Sequence, residues 1–168
     1  SEMCIRDSYE MARTERYPFR RIMLAADMAS GLSPWATKTL IGYLNDKDSA
    51  VRYWGAMGLL MRGKQGVKGA GKKLEKALKD NSPYVRVIAA EALGKYGSKE
   101  QIESAVKTLG KTADPTKNGC FPSMLAMNAI DHLDERAKPL LPMILSMPRI
   151  PREVEKRFQG YVGRLVDT

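Results

Sequence analysis

The chain has 168 residues and a formal charge of +9, with 43% hydrophobic residues but only 7% aromatics. That length supports one domain with its own core, and the recurring Ala, Leu and Met favour helix packing over sheet, which draws on β-branched and aromatic side chains. No apolar run approaches the roughly 18 residues of a membrane span, and two cysteines, Cys4 and Cys120, are too few for a disulfide framework.

The opening Ser1-Glu-Met-Cys-Ile-Arg-Asp-Ser8 does not fit the repetitive, helix-forming chain after it. It resembles a translated transposase sequencing adapter and is expected to be an artefact outside the fold. Residues 9–17 read as a linker and residues 18–168 as the domain. Glu2, Arg6 and Asp7 carry a net −1, so the remainder carries +10 and Cys120 is its only thiol.

A leading helix opens at Pro18, with Phe19, Ile22, Met23, Ala26 and Ala29 on its apolar face. A second helix is expected from about Pro34 to Leu44, followed by a turn over Asp46 to Ser49. The third runs from about Ala50 to Arg62, with Gly63 as its cap and Val51, Trp54, Gly55, Gly58 and Leu59 as its buried stripe. Next come a helix ending at Leu78 and one from Pro83 to Tyr96. Ile102, Ala105, Val106 and Leu109 mark the face of another, and Asp114 to Gly119 form a longer turn before a helix from Met124 to Leu133. The last pair is expected from Ala137 to Met147 and, past the break Pro148-Arg-Ile-Pro151, from Arg152 to about Val166. The count is nine helices and no strand.

Internal repetition organises these elements. Leu44, Asp46, Val51-Arg52, Ala56 and Leu59 recur 34 residues later as Leu78, Asp80, Val85-Arg86, Ala90 and Leu93, and Gly63 recurs as Gly97. Gly55 and Gly58 align with Ala89 and Ala92, small residues that let neighbouring helices approach closely. The helix-turn-helix unit with its recurring Val-Arg and Ala positions resembles HEAT repeats. The resemblance implies an all-α fold, a right-handed α-solenoid of paired antiparallel helices, with a leading helix and about four pairs.

Asp46 and Asp80 each precede an arginine, Arg52 and Arg86, by six residues. A turn aspartate accepts backbone N–H groups at the next helix start, and an arginine one turn in reaches it or its neighbour's. The expectation is a structural ladder joining adjacent repeats, because a catalytic pair has no reason to recur. The stretch from Arg62 to Lys79 holds Arg62, Lys64, Lys68, Lys72, Lys73, Lys76 and Lys79 against Glu75 alone. These seven are the candidate polyanion contacts, with a solvated helix face as the plainer reading.

Three motif fragments are weaker. Gly66-Val-Lys-Gly-Ala-Gly-Lys-Lys73 matches most of a P-loop, but Lys73 replaces the Mg²⁺-binding Ser or Thr and the stretch comes after a helix. Cys120-Phe-Pro-Ser-Met124 is similar to the sulfatase signature Cys-x-Pro-Ser-Arg, with Met124 in place of the arginine. His132 is the only histidine, so neither a conventional zinc cluster nor a Ser-His-Asp triad can be assembled around it.

Several longer stretches also carry a resemblance: Ser8-Tyr-Glu-Met before Tyr17-Pro-Phe, Val51-Arg-Tyr-Trp-Gly-Ala-Met-Gly-Leu, Val85-Arg-Val-Ile-Ala-Ala-Glu-Ala-Leu-Gly, Met127-Asn-Ala-Ile-Asp and Arg157-Phe-Gln-Gly-Tyr-Val-Gly-Arg-Leu. Together they resemble the C-terminal helical extension of bacterial formylglycine-dependent sulfatases, over nearly all of residues 9–168. The resemblance implies a non-catalytic scaffold or interaction domain whose parent hydrolyses sulfate esters with formylglycine and Ca²⁺, in the periplasm or outside the cell. It places a catalytic sulfatase domain upstream in the same chain and a sulfated glycan among the partners, and it assigns no catalytic, cofactor or metal residue to these positions. The alternative is a free-standing HEAT-repeat protein binding a protein partner or, less in keeping with its residues, nucleic acid.

Overall fold

The structure, a computed structural model, describes residues 18–148 together with Lys156 and Arg164. Apart from those last two residues, the segment 1–8, the linker 9–17 and the closing helix expected from Arg152 lie outside the described residues. The described residues form ten α-helical segments and two 3-10 segments, with no strand among them.

Helix α1 (Phe19–Ser30) starts where Pro18, which lends no N–H, offers its carbonyl to the N–H groups of Arg21 and Ile22 at 3.0 and 3.1 Å. Its buried stripe is Ile22, Ala25 and Ala29, while Phe19 and Met23, expected inside, face out. Two of the three buried positions, Ala25 and Ala29, are small, which lets α1 approach the helix α3 (Ser49–Met61), where Ile22 and Ala25 cluster with Val51. The helix expected from Pro34 is a 3-10 turn, Pro34–Ala36, leading into α2 (Thr37–Tyr43).

Helix α3 is capped by Asp48, whose side chain accepts the N–H groups of Ala50 and Val51. It ends before Gly63, whose φ of +60° suits a residue without a Cβ. The equivalent Gly97 has φ −78° and ψ 179°, an extended conformation open to any residue. The two glycines thus share a repeat position but not a geometry.

The helix expected to end at Leu78 is two, α4 (Gly63–Lys68) and α5 (Gly71–Ala77). Gly69 and Ala70 separate them, in a stretch weakened by the low helix propensity of Gly66, Gly69 and Gly71. Helix α6 spans Pro83–Tyr96, as its proline start and periodicity lead one to expect. Helix α7 (Lys99–Ala113) opens with a capping box in which Ser98 accepts from the Gln101 N–H and the Gln101 side chain accepts from the Ser98 N–H. The long turn after it contains one turn of helix, α8 (Pro115–Asn118), and α9 runs Cys120–Asp131. A 3-10 segment, Asp134–Leu140, then precedes α10 (Leu141–Leu145); Pro139 and Pro142 remove the N–H groups a longer α-helix would need.

Consecutive pairs are α2 with α3, α4–α5 with α6, and α7 with α9; α3, α6 and α9 stack in order as the second helices. Val51 and Val85 are both buried at equivalent positions of α3 and α6. Helix α6 is covered on nearly every side, with Val87 through Gly94 all buried, because it lies between α3 and α9 with α4, α5 and α7 also packed against it. An amphipathic stripe is the pattern of a helix with one covered face; a central repeat helix has more than one.

Close helix approach also makes a prediction of opposite sign at two glycines. A Cβ at Gly58 would lie 2.8 and 2.9 Å from the two methyl carbons of Leu40 and 3.0 Å from Cα of Ala29, whereas one at Gly42 meets nothing within 4 Å. Gly58→Ala should cost about 1–2 kcal/mol through overpacking, more than its propensity gain. Gly42→Ala should stabilise by about 0.5 kcal/mol. Urea unfolding midpoints of the two variants check this, and equal shifts would contradict it.

Candidate functional site: a ladder, a basic ridge and a groove

The turn before α3 is held by Asp46, whose Oδ1 accepts the N–H of Asp48 at 2.8 Å. The bond lies within the turn, one step before the helix cap expected of Asp46, and Asp48 supplies the cap instead. The turn before α6 repeats the arrangement, with Oδ1 of Asp80 accepting the N–H of Ser82 at 2.8 Å. Arg52 crosses between the two turns. Its Nη1 donates to the carbonyls of Asp46 and Lys47 at 2.9 and 3.0 Å, and its Nε and Nη2 meet the two carboxylate oxygens of Asp80 at 2.7 and 2.8 Å. One guanidinium therefore closes its own turn and grips the next.

Both partners are largely shielded, with side-chain exposures of 15% for Arg52 and 10% for Asp80. Burial pushes the Asp80 carboxyl up, but the hydrogen bonds from Arg52 and the Ser82 N–H, with the charges of Arg52 and Arg86, outweigh it and hold Asp80 below the usual carboxylate range. Arg52 is raised in turn, first by its bond to Asp80, against its own desolvation. Arg86 repeats only half of the pattern: its Nη1 donates to the carbonyls of Asp80 and Asn81 at 2.8 and 3.2 Å.

Arg21 of α1, which the repeat comparison does not single out, supplies the rung before Arg52 by pairing with Asp46. It lies 25 residues before its aspartate, whereas Arg52 lies 28 before Asp80, so it stands off the repeat register. Its signal was a basic residue on a helix that takes the place of a preceding second helix.

The seven candidate polyanion contacts divide. Lys64, Lys68, Lys72, Lys73, Lys76 and Lys79 are all at least partly exposed along α4, α5 and the turn after them, and the pairs Lys64/Lys68 and Lys72/Lys76 sit one helical turn apart. Arg62 does not join them. Its guanidinium makes five hydrogen bonds to the carbonyls of Met28, Ala29, Ser33 and Gly58, which ties the ends of α1 and α3 together and leaves nothing to offer a ligand. Burial pushes its pKa down.

The weaker motifs resolve as structure. Gly66 to Lys73 form the end of α4, a break and the start of α5, not a loop cradling phosphate. Cys120 is buried at the head of α9, where burial raises its thiol pKa and Met124 Sδ lies 3.5 Å from Sγ. Nδ1 of His132 lies 2.8 Å from Oε1 of Glu91, on an otherwise exposed side chain. Among the described residues no group of three or more His, Cys, Asp or Glu is placed to hold a metal ion, and no helix is long and apolar enough to cross a membrane.

The rungs differ in strength, and their removal should differ likewise. Arg52→Ala loses a shielded bidentate pair and two carbonyl contacts and should lower stability by about 2–3 kcal/mol. Arg86→Ala loses two carbonyl contacts and should cost about 1 kcal/mol. Chemical unfolding of both variants measures the gap; equal losses would mean that the Asp80 carboxylate adds nothing.

No curated protein matches the chain. The HEAT-repeat family matches residues 37–121, just over half of the 168 residues, a span that includes Asp46, Arg52, Asp80 and Arg86. With an all-α stack of helix pairs, a 34-residue period and turn aspartates gripped by arginines, the chain belongs to the HEAT-repeat family.

Proposed function

We propose that this chain is a non-catalytic interaction scaffold, the C-terminal helical part of an exported bacterial sulfatase, and that its lysine ridge helps the parent enzyme hold a sulfated glycan. HEAT repeats generally mediate protein interactions, which supports the scaffold reading. The observation that carries the glycan reading is the ridge: six lysines from Lys64 to Lys79 stand at least partly exposed on one stretch, with Glu75 as its single acidic residue. Parentage rests on the stretches around Tyr17, Trp54, Met127 and Phe158 that resemble sulfatase extensions. In that parent, formylglycine and Ca²⁺ belong to the upstream catalytic domain. Cys120 is no substitute for the formylglycine precursor, since it is buried and lacks the signature arginine.

Two experiments test this reading. The upstream reading frame in an uncorrupted assembly should encode a sulfatase core; a different or absent core favours the free-standing HEAT protein. On a sulfated matrix, glutamate at Lys68, Lys72 and Lys73 should reduce retention far more than at three lysines elsewhere, and added salt towards roughly 0.5 M should abolish retention through screening. Equal losses from both triple variants would leave net charge as the whole explanation and end the local-site reading.

A further inference from the structure

Arg52 and Arg86 occupy the same position in successive repeats, and the carbonyl-facing halves of their guanidinium groups bond alike. Their other halves do not. Nε and Nη2 of Arg52 meet the Asp80 carboxylate, whereas Nε and Nη2 of Arg86 meet no acceptor among the described residues.

The next aspartate in register is Asp114, 34 residues after Asp80. Its Oδ1 closes the turn as in the earlier repeats, accepting the Thr116 N–H at 3.0 Å and the Thr116 hydroxyl at 2.6 Å. Its Oδ2, the oxygen that in Asp80 receives Nε of Arg52, instead pairs with Lys117 at 2.8 Å within its own turn. The short helix α8, opened by Pro115, places Lys117 there. The ladder therefore stops at Arg86 with a guanidinium edge unused.

Arg86 lines a groove of about 820 Å³ between α5, α6 and α7, together with Lys79, Lys107, Lys111, Ser104 and Thr108. The three lysines are exposed and none pairs with a carboxylate among the described residues. Two rim carboxylates are already engaged, Glu75 with the Gln101 amide and Glu100 with the Ser98 hydroxyl. A guanidinium fork among unpaired ammonium groups selects an oxyanion that offers two oxygens in one plane. Glu75 and Glu100 interrupt the positive lining, which suits a single carboxylate seated at Arg86 better than a run of closely spaced sulfates.

We propose that this groove docks an acidic segment of a partner protein, whose Asp or Glu carboxylate takes from Arg86 the bidentate contact that Asp80 takes from Arg52. The partner supplies in trans the rung that Asp114 withholds. The site is centred on Arg86, shares only Lys79 with the six ridge lysines, and does not depend on sulfatase parentage.

Fluorescence anisotropy with a labelled, end-blocked peptide carrying an Asp-Glu pair, and its Asn-Gln counterpart, tests the proposal on the intact chain. The acidic peptide should bind at least about tenfold more tightly than the amide peptide. Arg86→Lys, which keeps the charge but loses the fork, should weaken it about tenfold, the effect of one charge-assisted hydrogen bond. Glutamate at Lys68, Lys72 and Lys73 should change it less than about twofold, since those residues lie outside the groove. No preference for the acidic peptide, or equal losses from the two variants, would overturn the proposal. So would a heparin oligosaccharide whose binding depends on Arg86 as strongly as the peptide's. Should Arg86→Lys fail to fold, Lys107→Ala with Lys111→Ala, on two exposed side chains, takes its place with the same deciding outcomes.

Discussion

A carboxylate held by its own turn and gripped by a guanidinium from the turn before sets the spacing of this stack. Asp80 cannot be shielded from water at low cost unless its lone pairs are met, and they are met by the Ser82 N–H and by Nε and Nη2 of Arg52. Arg52 likewise satisfies the carbonyls of Asp46 and Lys47 that its own turn leaves open. Each turn thus depends on its neighbour for a complete set of partners. In a fold where a repeat touches only adjacent repeats, such shared polar groups couple units that hydrophobic contact alone would let slide.

The reach of Arg52 requires α3 and α6 to lie against each other, as they do, and small residues let the helices around them pack closely. Ala89, Ala90 and Ala92 are fully buried in α6, and Gly55 and Gly58 bring α3 against Leu40 and Ala29. A second pair of arginines works at the opposite helix ends. Arg62 donates to carbonyls at the ends of α1 and α3, and Arg136 donates to the Gly94 and Lys95 carbonyls near the end of α6 at 2.7 and 2.6 Å. Cations there also meet the negative ends of the helix dipoles. Aspartates thus hold the entrances of α3 and α6, and arginines hold their exits.

Much of this was legible in the chain because the repeat preserves polar and apolar positions together. The 34-residue offset located both ladder arginines, both turn aspartates and the limits of α6. What it missed lay where geometry departs from the repeat. Arg21 is off register, and Arg62 looked like one more basic residue because composition cannot reveal which carbonyls lie within its reach. Asp114 was visible as a turn residue, yet its register with Asp46 and Asp80 matters only once Lys117 is seen to occupy it. Helix breaks at Gly69–Ala70 and around Pro139 depend on how glycine and proline penalties balance against packing, which periodicity does not report.

Arg52 and Asp80 act as one unit between repeats, and the coupling of the stack rests on that unit. A double-mutant cycle with Arg52→Ala, Asp80→Ala and the pair, each studied by urea unfolding at neutral pH, measures it directly. Because the contact is bidentate and shielded, the coupling energy should be about 1.5–3 kcal/mol, with the double variant far less destabilised than the sum of the singles. Additive losses, with coupling within about 0.3 kcal/mol of zero, would show that the two residues stabilise their own turns separately and that no ladder joins the repeats.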